Sequence, residues 1–175
     1  SLAECMFNTG QSCDAPTRLL VERSCYDEVV EIARRAAEAT AVGNPEEEGD
    51  HIGPLFDQIQ FDRVQNMIQV GIDEGATLLV GGLGRPEGFD VGWYVRPTVF
   101  SDVNNTMRIA REEIFGPVLA IIPFDDEEAA VEIANDTPYG LAAYVQTGSP
   151  ERAARLSRSL RAGAVHINGG AYEYG

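Results

Sequence analysis

Residues 118–124 read Val-Leu-Ala-Ile-Ile-Pro-Phe, branched and apolar almost throughout. A run of this length and composition suits a strand covered on both faces of a sheet. It is far too short, and too interrupted by Pro123, to cross a membrane. It also sits within a repeated strand–helix order. Strand patterns at residues 17–22, 77–80, 93–100, 141–146 and 164–168 alternate with helical periodicity at residues 26–40, 58–75 and 126–135, and with a helix opened by Ser149-Pro150. Asp125 or Asp126, and Ser149 followed by proline, supply helix-start chemistry, and Ser24 or Asp27 is expected to do so for 26–40. Gly75 is placed to end the 58–75 helix. Such alternation predicts an α/β domain: three layers, α/β/α, around a mixed but largely parallel central sheet. The strands at 17–22 and 118–124 are both expected to be central. At 175 residues the chain is long enough for one domain with a real core, residues 1–175, and too short to argue for two.

The richest local pattern is Met6-Phe7-Asn8-Thr9-Gly10-Gln11-Ser12-Cys13. A helical end at residues 2–9 leads into a glycine turn, and Gly10 permits a backbone reversal that lifts the following residues clear. Backbone N–H groups around such a turn can stabilise a thiolate or an oxyanion. Composition alone allows the plainer reading, Cys13 as a small buried hydrophobe.

The spacing Phe-x-x-Gly-Gln-x-Cys resembles the nucleophile motif of the NAD(P)-dependent aldehyde dehydrogenases. A second signature, Glu112-Glu113-Ile114-Phe115-Gly116-Pro117-Val118, resembles that family's cofactor-contacting segment. Gly43-Asn44-Pro45, Gly53-Pro54-Leu55, Arg96-Pro97-Thr98-Val99-Phe100 and Tyr139-Gly140-Leu141 also fall where the family has them. The resemblance covers nearly the whole chain. It implies that Cys13 is the nucleophile, that Glu113 accepts hydrogen bonds from the nicotinamide-side ribose, and that Phe115 packs near the nicotinamide ring. A carboxylate suits a diol because it is acceptor-only and two-pronged. Gln60 and Arg63 fall where the family places side chains near the cofactor ribose, although the family often has lysine at the second place. Ser12, Asp14 and residues 168–173, Asn168 first among them, are expected to line the substrate entrance. An inward-facing Asp14 would disfavour anionic aldehydes.

The implied activity is oxidation of a small-molecule aldehyde to a carboxylic acid with NAD or NADP, through a thiohemiacetal and a thioester on cysteine. Two alternatives stand beside it: a CoA-acylating relative, and a non-catalytic interaction domain of the same fold. A peroxidatic thiol would need Cys5 within disulfide reach of Cys13. The family's general base, in a Glu-Leu-Gly-Gly-like run, and its dinucleotide-binding domain lie upstream of the nucleophile. Neither pattern occurs here, and the context of Glu4 does not match. The expectation is therefore a catalytic domain excised from a longer chain, inactive alone, whose parent is a homodimer or homotetramer.

Composition excludes other classes. A net charge of −15 argues against nucleic acid and anionic membrane surfaces, which need basic patches. The three cysteines, Cys5, Cys13 and Cys25, cannot all pair internally, which favours a reducing, cytoplasmic setting. No metal site is expected, since neither the cysteines nor His51 and His166 stand at ligand spacing. Gly81-Gly82-Leu83-Gly84 lacks the lysine and helix of a phosphate loop and reads as a surface excursion. Glu46-Glu47-Glu48 reads as a solvated run, and Trp93 and Tyr94 as packing residues.

Overall fold

The 118–124 run does lie between two other strands, with helices on either side. In a computed structural model, which describes residues 2–169, helix α1 (Leu2–Met6) passes through a 3-10 turn (Phe7–Gly10) to strand β1 (Arg18–Glu22). A second 3-10 turn opens α2 (Tyr26–Ala39), and a long loop leads to α3 (Gln58–Asp73). Strands β2 (Thr77–Val80) and β3 (Thr98–Ser101) precede the short α4 (Arg108–Arg111) and then β4 (Val118–Phe124). Helix α5 (Glu127–Asn135), β5 (Ala142–Val145), α6 (Pro150–Ser159) and β6 (Ala164–Ile167) complete the order.

Four strands form a sheet in the order β1-β4-β3-β2, and β5 and β6 form a parallel pair. Both neighbours of β4 run parallel to it, whereas β2 is antiparallel to β3. The alternation of side chains along a strand then divides the core in two. Val118, Ala120 and Ile122 face one way, packing with Phe100 of β3, with Val64, Met67 and Ile68 of α3, and with Ile109 and Ala110 of α4. Leu119 and Ile121 face the other way, against Val99, Val21, Cys5 and Met6 of α1, and Ala33 and Ala37 of α2. The result is a mixed, largely parallel sheet between helical layers. Among the described residues no helix is long and apolar enough to cross a membrane.

Local chemistry sets several boundaries. Asp57, Asp126 and Ser149 cap α3, α5 and α6 by accepting hydrogen bonds from the N–H groups of Gln60, Ala129 and Arg152. Gly75, at φ 88°, turns the chain after α3. Three expectations are corrected. First, among the described residues β1 stands at an edge of the four-stranded sheet, and only its Val21 is buried. Second, no side chain caps α2; Cys25 holds the N-cap position, and Asp27 contributes only charge in the first turn. Third, the strand expected over 93–100 starts at Thr98, because Pro97 has no N–H to donate to a ladder. Trp93 packs on Phe61 instead, with their rings 6.0 Å apart.

Removing the largest fully buried side chain, as in Phe100→Ala, should destabilise the domain by about 3–5 kcal/mol. Ile32→Ala, on the half-exposed side of α2, should stay within about 0.5 kcal/mol. Urea denaturation of both variants checks this. Burial pushes the Cys5 thiol from its ordinary 9.0 up to about 12. The unfolded chain therefore loses that proton first, so stability should fall as pH rises above about 9, with a slope from this group of up to about 1.4 kcal/mol per unit. Urea midpoints between pH 8 and 10 should show a shallower decline in Cys5→Ala; an unchanged slope would count against it.

Candidate active site

The 3-10 turn after α1 is wound against its usual hand. Asn8 (φ 48°), Thr9 (φ 59°) and Gly10 (φ 71°) are left-handed in succession. For a β-branched threonine this costs of order 1–3 kcal/mol and needs surrounding structure to hold it. That structure is present. Thr9, 2 % exposed, donates its hydroxyl to the Gly53 carbonyl at 3.0 Å. The Asn8 amide donates to the Gln11 carbonyl at 3.0 Å, and the Gln11 amide donates back to the Asn8 carbonyl at 3.2 Å. The Gln11 side-chain oxygen accepts the Phe56 N–H at 3.0 Å.

The chain then makes a tight turn closed by the Ala15 N–H on the Ser12 carbonyl, at 3.2 Å, with Cys13 and Asp14 at its tip. Cys13 is exposed while Cys5 is buried. No carbonyl among the described residues accepts the Cys13 N–H, so the group is available to an oxyanion. Next in the chain, the Asp14 carboxylate accepts the Ser12 hydroxyl at 2.6 Å, and the Asp14 carbonyl accepts the Tyr144 hydroxyl at 3.0 Å.

The second motif meets the first backbone to backbone. A Cβ built on Gly10 would lie 2.1 Å from the Gly116 carbonyl oxygen and 2.8 Å from the Pro117 nitrogen. Gly116 is itself pressed on Val64, whose Cγ2 would lie 2.6 Å from an added Cβ. Just before it Phe115 is left-handed, at φ 57°. Gln60 donates its amide to the Ile114 and Phe115 carbonyls at 2.9 and 2.7 Å, and Arg63 donates to the Glu113 carbonyl at 2.5 Å.

The two adjacent acids are sorted by their partners. Glu112 takes a two-pronged hydrogen bond from Arg108 at 2.6 and 3.2 Å, which holds its carboxyl below the usual range. Glu113 is exposed, and no partner among the described residues engages its carboxylate.

Cys13, Ser12 and Asp14 thus share one turn, and that turn is joined to the segment carrying Glu113 and Phe115. Gln60 and Arg63 were expected against a cofactor ribose. Here Gln60, 7 % exposed, has its amide donor engaged by carbonyls behind the segment. Asn168 was expected at the substrate entrance. Its amide instead pairs both ways with the Thr147 backbone, at 2.8 Å each, tying the end of β6 to the end of β5. Residues 170–173 lie outside the described residues.

One contact had no assigned role in the sequence: the Tyr139 hydroxyl accepts the Glu113 N–H at 3.2 Å. Tyr139-Gly140-Leu141 stands out as a motif, yet a pairing across this sequence distance leaves no periodic trace.

The aldehyde dehydrogenase family pattern matches residues 1–174. The chain is 52 % identical over 169 residues to a 3-succinoylsemialdehyde-pyridine dehydrogenase of a Pseudomonas species, covering 97 % of this chain and 35 % of that protein. The crystal structure of an aldehyde dehydrogenase from Bartonella henselae superposes with a TM-score of 0.96 at 50 % identity, over 98 % of this chain and 36 % of that one. A cysteine-to-alanine variant of aldehyde dehydrogenase C from Pseudomonas syringae, complexed with NAD+ and octanal, gives 0.95 at 48 % identity, again over 98 % and 36 %. The chain therefore spans about a third of the length of these relatives.

The two glycines should respond differently to substitution. Gly10→Ala sets a Cβ against backbone that cannot yield, at a positive φ, and should destabilise by more than about 1 kcal/mol in any background. Gly116→Ala clashes only with a side chain, so adding Val64→Ala should recover much of its loss. Denaturant midpoints of the single and double variants check this, and rescue of Gly10→Ala by Val64→Ala would contradict it.

Proposed function

The chain belongs to the aldehyde dehydrogenase family, and from that membership we propose that it is the nucleophile-bearing catalytic domain of a longer enzyme. That enzyme oxidises an aldehyde to a carboxylic acid with NAD+ or NADP+. The observation that supports this best is an exposed Cys13 on a turn locked to the Glu113–Phe115 segment through Gly10 and Gly116.

In this reading the Cys13 thiolate attacks the carbonyl carbon. A C–S bond forms, and the carbonyl electron pair moves to oxygen, where the Cys13 N–H is a donor for the new oxyanion. NAD(P)+ supplies the acceptor for the hydride that leaves the tetrahedral carbon when the C=O bond re-forms as a thioester. Water then cleaves the C–S bond, releasing the acid and returning the thiol, so that aldehyde, water and NAD(P)+ become acid, NAD(P)H and a proton. Residue types and geometry fit the cofactor: Glu113 presents an unengaged, acceptor-only carboxylate for a ribose diol, and Phe115 presents a ring on a braced backbone. The base that activates water is proposed to come from the part of the enzyme preceding this chain.

Asp14, the residue after Cys13 and held by the Ser12 hydroxyl, favours neutral aldehydes over anionic ones where its carboxylate faces the substrate. The octanal complex of the similar Pseudomonas syringae protein agrees with that preference. The same proposal has the enzyme working in the cytoplasm, on the three free cysteines of this chain, and as a homodimer or homotetramer, as the family commonly does.

In the full-length enzyme Cys13→Ser should abolish aldehyde-dependent NAD(P)H formation, and alkylation should label Cys13 far faster than Cys5 or Cys25. The purified 175-residue chain alone should show no turnover. Retained activity in Cys13→Ser, or equal labelling of the three thiols, would refute the assignment.

A further inference from the structure

The nucleophile turn is held at its feet from one sheet and at its tip from the other. Upstream of the thiol, Gly10 abuts the Gly116 peptide. Downstream, the Thr17 carbonyl accepts the Ala120 N–H of β4 at 2.9 Å. The tip is reached from the parallel pair β5 and β6, where Tyr144 donates its hydroxyl to the Asp14 carbonyl at 3.0 Å. Tyr144 is braced in its turn. It stands opposite His166 in the register of the two strands, and their rings stack with centroids 4.9 Å apart and planes 16° from parallel.

The contact at Asp14 leads back to the site by whole peptide units. The Asp14 carbonyl and the Ala15 N–H belong to one peptide, and that N–H donates to the Ser12 carbonyl at 3.2 Å. The Ser12 carbonyl in turn belongs to the peptide that carries the Cys13 N–H. Tyr144 therefore starts a hydrogen-bonded relay of two peptides that ends on the donor facing a developing oxyanion. A relay of this kind fixes the direction of its last N–H and polarises it, since each bond strengthens the next.

We propose that Tyr144 is a positioning residue for the Cys13 N–H, acting through the 14–15 and 12–13 peptides, with His166 holding its ring. The proposal rests on the functional reading above, and its test keeps the two apart. Tyr144→Phe in the full-length protein removes the hydroxyl and keeps the ring. Hydrogen exchange of the peptide covering residues 12–16, measured without dinucleotide or aldehyde, should quicken about five-fold, the factor one net hydrogen bond supports. The thermal midpoint should stay within a few degrees of the parent.

Two reactions of the same thiol then separate positioning from general damage. 4-Nitrophenyl acetate acylates Cys13: a C–S bond forms through an oxyanion, and 4-nitrophenolate leaves. Iodoacetamide alkylates it by displacing iodide from a saturated carbon, with no oxyanion. Tyr144→Phe should slow acylation about ten-fold, less than outright loss of an oxyanion donor, and alkylation less than two-fold. Equal slowing of both, or of neither, would overturn the proposal. In turnover, kcat/KM should fall by one factor for a two-carbon and an eight-carbon aldehyde. A loss that depends on chain length would mean that Tyr144 meets the substrate itself, and would also overturn it.

His166→Ala should reproduce the Tyr144→Phe losses, and His166→Phe, which keeps a flat ring, should stay within two-fold of the parent. The double variant Tyr144→Phe/His166→Ala should be no worse than the poorer single one, because the pair acts as a unit; losses that multiply would refute the part given to His166. A full-length protein with no aldehyde-dependent turnover would remove the functional reading, and exchange of residues 12–16 would still decide the relay.

Discussion

The contact between Gly10 and the Gly116 peptide is the constraint on which the site depends. Two backbones that close exclude any side chain at Gly10, while at Gly116 it is the Val64 side chain that fills the space. The contact also closes a loop of dependencies. Thr9 and Gln11 hold residues 53–56, those residues deliver the chain to the Asp57 cap, α3 grips residues 113–116, and Gly116 returns to Gly10. The left-handed conformations of Asn8, Thr9 and Phe115 persist inside this closed path because each is held from at least one side.

Within that frame, reactivity is distributed by partnership more than by residue type. Cys5 and Cys13 are the same group eight positions apart. One is sealed among Met6, Leu119 and Ile121, where burial opposes its ionisation, and the other stands on an open turn. Glu112 and Glu113 are neighbours, yet a guanidinium neutralises the first and the second stays unengaged. Both pairs show how a fold selects one of two chemically equal side chains, by giving the other something to bind.

Much of the fold was legible because its causes are local. The composition of β4 announced a strand covered on both faces, and Asp126 and Ser149-Pro150 announced the starts of α5 and α6. Cys13 and the Glu113–Phe115 segment were legible as spaced motifs. What sequence reading could not supply depends on distant partners. Nothing in residues 17–22 says that β1 has a single ladder, to β4, among the described residues. The amides of Gln60 and Asn168 look equally able to meet a ligand. The structure engages one with the carbonyls of 114 and 115 and the other with Thr147. Tyr139 was conspicuous and still gave no hint of its partner.

The parallel pairing of β1 with β4 has a bearing on biosynthesis. The strand that follows the nucleophile finds its partner only after roughly a hundred more residues have left the ribosome, some 5–20 seconds of translation. The Cys5 sulfur meets the Val118 carbonyl across 113 residues, and the same delay applies to it. Until then Cys5 and Met6 lack the β4 residues, Leu119 and Ile121, that cover them in the folded domain. Any chaperone contact or thiol oxidation that depends on that exposure has this interval in which to act, before β4 closes over α1.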